Sequence, residues 1–83
     1  MSNPALKLLN LPWTMSRQDL IRFLSRTLNT RVVYSRVHFD KSTGLSRGVA
    51  TIQLENEQLA RDLLRNGTIE IEGRRALVVN NQR

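Results

Sequence analysis

The residues best suited to chemistry in this sequence are its cations. The 83 residues contain 13 lysines and arginines against 7 acidic residues, which gives a formal net charge of +6. Arginine dominates the basic set, and its planar guanidinium forms paired hydrogen bonds to phosphate and stacks on flat rings. This balance favours an anionic partner, with nucleic acid first, over the alternative that the charge only keeps the protein in solution.

Several of these cations alternate with apolar residues in a period of two, which predicts that they share one face of a sheet. Lys7, Arg36 and Arg47 are predicted to contact phosphates or to stack as guanidinium planes. For each of them, the alternative is an ordinary solvated surface charge. The same face and its rim are also predicted to carry His38, Lys41, Arg74 and Arg75.

Three ring-bearing residues accompany the cations. Tyr34 is the only aromatic residue that the alternation places on this face, where it either stacks on a base or packs across strands. Trp13 follows the first predicted strand. It either stacks at the sheet edge or covers the end of the core, and the second is favoured because large apolar rings usually find burial. His38 has no carboxylate or second histidine at useful spacing, which favours an ordinary surface histidine over a catalytic one.

A second group on the predicted face is apolar. Leu9, Val49, Leu77 and Val79 should form a patch in the middle of the open sheet. An exposed apolar patch usually marks an interface. The alternative function is therefore protein binding on this face, as a homodimer or with another partner, and it does not exclude RNA binding through the basic rim.

Other classes of function lack the residues that they need. The sequence has no cysteine and one histidine, which leaves no thiolate or histidine-cluster metal site, and no cofactor is predicted. No phosphate-cradling glycine loop precedes a helix and no nucleophile pairs with a base, so an enzyme is not predicted. No apolar run approaches the roughly 20 residues that cross a bilayer. Met1–Ala5 lacks both a signal-peptide core and an Arg-rich transit helix.

The elements that must position these residues can be read from periodicity and capping. Strands are predicted near residues 5–10, 32–39, 48–54 and 75–80, with helices near 17–28 and 57–65. Ser16 with Asp19 forms a variant capping box, Asn56 caps the second helix, and Gly67 suits its end. Residues 69–71 are predicted to form a short ribbon leading into the last strand.

The resulting order, βαββαβ, predicts one α+β domain over residues 1–83. It is the ferredoxin-like sandwich, with a four-stranded antiparallel sheet and two helices on one face. The uncovered face of the sheet is the natural binding surface.

Two short runs resemble the sequence signatures of the RNA recognition motif family. Arg47-Gly48-Val49-Ala50-Thr51-Ile52-Gln53-Leu54 is similar to its octapeptide, and Leu6-Lys7-Leu8-Leu9-Asn10-Leu11 to its hexapeptide. The resemblance implies the same fold and RNA binding on the sheet. The three positions whose rings stack on bases hold Lys7, Val49 and Thr51 instead. Stacking is worth roughly 1–3 kcal/mol per base, so either charge compensates for the missing rings or RNA is not the main ligand of this face.

A narrower resemblance links the chain to the stem-loop-interacting RNA-binding protein family. It rests on Leu11-Pro12-Trp13-Thr14, Phe39-Asp40-Lys41-Ser42-Thr43-Gly44 and Arg47-Gly48. It implies a mitochondrial protein that binds single-stranded or stem-loop mRNA, acts in RNA stability or post-transcriptional regulation, and pairs with a leucine-rich pentatricopeptide-repeat protein. The nucleus and the cytoplasm remain the alternative locations. The full predicted RNA-binding set is Lys7, Trp13, Tyr34, Arg36, His38, Lys41, Arg47, Val49, Thr51 and Arg75.

Overall fold

The computed structural model describes residues 4–81 and contains two helices and a five-stranded sheet. The elements in chain order are β1 (Ala5–Leu9), α1 (Arg17–Leu28), β2 (Val32–Phe39), β3 (Ser46–Leu54), α2 (Glu57–Asn66), β4 (Thr68–Ile71) and β5 (Arg74–Asn80). The predicted fold, two helices packed on an antiparallel sheet in the order βαββαβ, is confirmed. The prediction that residues 1–5 carry no targeting segment lies largely outside the described residues.

The sheet has one strand more than predicted, because the ribbon of residues 69–71 pairs fully with the last strand. Ile71 lies opposite Arg74, and the two residues between them, Glu72 and Gly73, have φ of 50° and 81°. Two consecutive positive φ angles are the geometry of the two-residue turn that matches the twist of a hairpin. β4 is therefore a short edge strand rather than part of a loop.

Within the sheet, the order is β2-β3-β1-β5-β4, and every neighbouring pair is antiparallel. One face meets the helices and forms the core. Its fully buried members include Leu8 of β1, Ile52 of β3 and Leu24 of α1. The other face is left open, and β1 and β3 lie at its centre.

Both helices begin at side-chain caps, as the sequence predicts. Ser16 Oγ accepts a hydrogen bond from the Asp19 N–H (3.1 Å), and Asp19 Oδ2 accepts one from the Ser16 N–H (3.3 Å). Asn56 Oδ1 accepts from the Leu59 N–H (3.0 Å). These bonds satisfy backbone donors that a helix N-terminus otherwise leaves free. No helix in residues 4–81 is long and apolar enough to cross a membrane.

A close backbone contact holds the segment that leaves β1 against the start of β3. The Leu11 N–H donates to the Gly48 carbonyl oxygen (2.9 Å). Gly48 has φ of +72°, and a Cβ added there would lie 3.1 Å from the Leu11 carbonyl oxygen. Glycine is required here both for the positive φ and for the approach of the two segments. This contact fixes where the residues after Leu11 lie.

Candidate nucleic-acid interface

The strand register places the predicted cations and the predicted apolar patch in adjoining rows across the open face. One row runs from β2 to β5 through Arg36, Thr51, Lys7 and Val79. The next row runs through His38, Val49, Leu9 and Leu77. The basic side chains therefore come from β2, β3 and β1, the apolar ones come from β3, β1 and β5, and the two sets meet on β3 and β1.

Four basic side chains lie close together on β1, β2 and β3, and they define what we call the basic cluster: Lys7, Arg36, His38 and Arg47. Three of them, Lys7, His38 and Arg47, line a shallow depression of about 130 Å³ with Leu9 and Val49. No acidic residue occurs in β1, β2 or β3. The strands that carry the cluster thus present positive charge with no acidic side chain of their own, the arrangement that attracts phosphate.

The surrounding positive charge affects the pKa of the His38 imidazole. Its pKa is lowered from the ordinary value of 6.5, first by burial and then by the positive charges of Arg36, Lys7 and Arg47. Both effects disfavour the imidazolium form. His38 Nε2 also lies 3.1 Å from Thr51 Oγ1. In the neutral ring the tautomer sets which of the two atoms donates, whereas a protonated ring donates to the hydroxyl.

The three ring positions of the resemblance all lie on the open face, as predicted, but they differ in accessibility. Lys7 and Val49 are half-buried, whereas Thr51 is only 8% exposed, in the row between Arg36 and Lys7 and bonded to His38. Thr51 is therefore covered by its neighbours, and its role here is to hold His38. Tyr34, on the edge strand β2, leaves 47% of its surface exposed and is available for stacking.

The exposure of Trp13 differs from the prediction more than that of any other residue of the predicted RNA-binding set. The favoured prediction, that its ring covers the end of the core, is wrong because the side chain is 75% exposed. Leu11 and Met15, on either side of it, are 2% and 5% exposed and close that end of the core. The indole is left pointing into solvent beside Leu45, in the turn between β2 and β3.

The remaining predicted cations lie apart from the cluster. Arg74 is engaged in the fold: its Nη2 donates to Asn10 Oδ1 (2.8 Å), and Asn10 Nδ2 donates to the Arg75 carbonyl oxygen (3.0 Å). Arg75 faces Glu70 across the hairpin, and Lys41 lies in the exposed turn after β2. Sequence reasoning missed the role of Asn10, although asparagine tolerates the left-handed φ of 70° found there.

The apolar patch is continuous, as the alternation predicts. Leu9 of β1 lies opposite Val49 on one side and Leu77 on the other. Leu77 and Val79 are 45% and 38% exposed. Among residues 4–81, no group of three or more potential ligands could hold a metal ion. The open face thus offers charge, one tyrosine ring and apolar contact.

The comparisons with known proteins agree with this geometry. The sequence model of the RNA recognition motif family matches residues 6–77. No curated protein matches the chain. Among solved structures, RNA binding protein PG1 has a TM-score of 0.76 and 28% identity, over 98% of both chains.

Two further structures share the fold over a part of their length. Sex-lethal RNA recognition domains 1 and 2 from Drosophila melanogaster have a TM-score of 0.71 and 25% identity, over 98% of this chain and 51% of that one. The RNA binding domain of Hrp1 in complex with RNA has a TM-score of 0.77 and 15% identity, over 98% and 47%. The chain thus spans about half the length of these two proteins.

Proposed function

Because the chain belongs to the RNA recognition motif family, we propose that it binds single-stranded RNA, including the loops of stem-loops, on the open face of its sheet. The similar structures are described as RNA-binding proteins, which supports the proposal. Charge supplies most of the affinity, because Lys7, Val49 and Thr51 occupy the ring positions. The observation that carries the proposal is the basic cluster on three strands that contain no acidic residue.

In this account, the RNA backbone follows the β2 side of the face. Its phosphates contact Lys7, Arg36 and Arg47, while Tyr34 stacks on one base near the sheet edge. Phosphate contacts of this kind position the strand and carry no sequence information by themselves. Proteins of this family generally bind RNA without a catalytic step, and the proposal includes none.

The test is a titration of fluorescently labelled single-stranded RNA, followed by anisotropy at several salt concentrations. Each phosphate contact contributes about −0.7 to the slope of log K against log salt, so three contacts predict a slope near −2. Absence of binding at low salt, or tight binding that salt does not weaken, would overturn the proposal.

The affinity for RNA should also depend on pH through His38. Bound phosphates favour the imidazolium and raise its lowered pKa, so RNA binding takes up a proton. The affinity should therefore rise as the pH falls through the raised pKa of His38 in the complex, and level off below its pKa in the free protein, which lies under 6.5. His38 is the only histidine in the sequence, so His38→Gln is a clean control. An equal pH dependence in this variant would rule out the imidazole as its source.

The narrower resemblance adds a cellular location, a class of RNA and a protein partner to the proposal. Its support is the three sequence runs shared with the stem-loop-interacting RNA-binding protein family. On that basis, the RNA is mitochondrial mRNA, the outcome is control of its stability, and a leucine-rich pentatricopeptide-repeat protein is the partner. Cell fractionation and purification with a crosslinker test the location and the partner separately from RNA binding.

The apolar patch favours a second candidate function, which is docking of a protein on the same face. Leu9, Val49, Leu77 and Val79 are contiguous across three strands and partly exposed. A second copy of the chain, or the proposed repeat-protein partner, would bury this surface. The patch adjoins the basic cluster at Leu9 and Val49, which line the same depression as Lys7, His38 and Arg47, whereas Leu77 and Val79 extend it towards β4.

Leu77→Asp should abolish any association that uses this patch. Leu77 is 45% exposed in the free protein, so the carboxylate is solvated there, but it would be buried without a partner in a complex. Self-association measured by sedimentation should weaken at least tenfold. Val33→Asp, at a similarly exposed residue of the edge strand β2, is the matched control. A protein that is monomeric throughout would eliminate the homodimer, and self-association that persists in Leu77→Asp would eliminate this patch as its interface.

A further inference from the structure

A second concave site lies at the end of the sheet, where the segment after β1 meets the turn between β2 and β3. It has a volume of about 280 Å³ and is lined by Trp13, Asp40, Thr43, Leu45, Ser46 and Arg47. We call it the tryptophan cleft. Trp13 and Leu45 are 75% and 63% exposed, far more than such side chains usually are. Two large apolar groups thus face solvent across one cleft.

The wall on the Leu45 side is held by a network of turn hydrogen bonds. The Asp40 N–H donates to the Leu45 carbonyl oxygen (2.8 Å), and the Gly44 N–H donates to the Asp40 carbonyl oxygen (2.8 Å). Asp40 Oδ1 also accepts from the N–H groups of Ser42 (2.8 Å) and Thr43 (3.2 Å). The turn is therefore formed before any ligand arrives, which reduces the entropy lost on binding.

The wall on the Trp13 side is fixed in a comparable way. The Leu11 N–H bonds to Gly48, and the Met15 N–H donates to the Pro12 carbonyl oxygen (3.2 Å). Leu11 and Met15 anchor this segment in the core on both sides of the ring. The exposure of the indole is thus imposed by well-anchored neighbours and is not a consequence of a loose loop.

The chemistry of the tryptophan cleft matches a flat ring with a polar edge. The indole offers a stacking surface, and Leu45 offers an apolar one. Thr43 Oγ1 and Ser46 Oγ accept from the N–H groups of Leu45 (3.2 Å) and Gly48 (3.1 Å), which leaves both hydroxyl hydrogens free to donate. A nucleobase has two apolar faces and an edge that carries both acceptors and donors, and the two hydroxyl groups can bond to that edge.

Arg47 connects this cleft to the basic cluster, because it lines both the tryptophan cleft and the depression beside Lys7 and His38. We propose that the tryptophan cleft holds one unstacked nucleobase of an RNA strand whose phosphates lie on the basic cluster. Arg47 then binds a phosphate that joins the two sites. The inference rests on the proposed function and adds to it a stacking site away from the ring positions of the sheet.

The test uses the fluorescence of Trp13, which is the only tryptophan in the sequence. The probes are a pool of short single-stranded RNAs of randomised sequence and abasic ribose-phosphate oligomers of the same length. RNA should change the emission of Trp13 because a base contacts the indole. The abasic oligomer should bind through charge, as seen by anisotropy, and leave the emission almost unchanged.

Variants separate stacking from folding. Trp13→Ala should weaken binding of the RNA pool by about tenfold or more and leave abasic binding unchanged. Trp13→Phe should keep most of the affinity because it keeps a ring. Phe39→Ala removes another exposed ring, one that does not line the cleft, and should have a smaller effect.

The possible failures are distinguishable. If neither probe binds at low salt, the proposed function fails and the inference fails with it. If the RNA pool binds but the emission does not change, or Trp13→Ala binds both probes like the unmodified protein, only the inference fails. The inference is supported if the protein prefers RNA to the abasic oligomer and this preference disappears in Trp13→Ala.

Discussion

Replacing Lys7, Arg36 and Arg47 together with glutamine should lower the affinity for single-stranded RNA by about 100-fold at about 0.1 M salt. Each contact contributes about 0.7 to the salt exponent, so the slope of log K against log salt should become shallower by about 2. Glutamine keeps a polar, uncharged end group on two of the methylene groups of each side chain. The loss therefore reports the phosphate contacts of the basic cluster rather than a change in packing.

The control for this triple variant removes the same charge from the helical side. Arg17, Arg26 and Arg65 are exposed residues of α1 and α2, which pack on the opposite face of the sheet. Replacing them with glutamine gives the same net charge as the first variant. Its affinity should fall much less, because the binding site is intact. Equal losses in the two variants would show that only the total charge matters, and would contradict a site on the open face.

Gly48→Ala should destabilise the protein more than Gly44→Ala does. The two glycines have nearly equal φ, +72° and +75°, so alanine at either position costs about 1–2 kcal/mol in the left-handed region. Only at Gly48 does the new Cβ approach another group, the Leu11 carbonyl oxygen at 3.1 Å, while nothing lies within 4 Å at Gly44. The free energy of unfolding, from urea denaturation, should therefore fall further in Gly48→Ala.

The difference between these two variants isolates the contact that positions Trp13. The segment after β1 must shift to admit the Cβ, so Gly48→Ala should also change the emission of Trp13 in the free protein. Gly44→Ala should leave that emission near its original value. Equal losses of stability would show that the contact with Leu11 contributes nothing beyond the backbone angle.

The fold and the faces of the strands could be predicted because they depend on local patterns. Alternation in β3 assigns Val49 and Thr51 to the open face and Ala50 and Ile52 to the core, and the register agrees. The caps at Ser16 and Asn56 are likewise local, since each bonds to a residue three positions away. The strand faces and the helix caps depend only on the spacing of neighbouring residues, so the sequence is enough to predict them.

Features that depend on distant residues could not be predicted in this way. The burial of Thr51 comes from its cross-strand neighbours, among them His38. The sequence predicts that Arg74 is a solvent-exposed cation of the binding face. In the structure, its guanidinium instead donates a hydrogen bond to Asn10, which lies 64 positions away. The exposure of Trp13 follows from the fact that Leu11 and Met15 already close the core, and the pattern of residue types alone does not decide which of three apolar neighbours is left outside.

Whether RNA lies on the basic cluster of the open face is tested most directly by the change in backbone amide NMR signals when single-stranded RNA is added at low salt. We expect the largest changes in β1, β2 and β3 around Lys7, Arg36, His38 and Arg47, with α1 and α2 little affected. Changes concentrated in the two helices, or none at saturating RNA, would contradict this placement of the RNA.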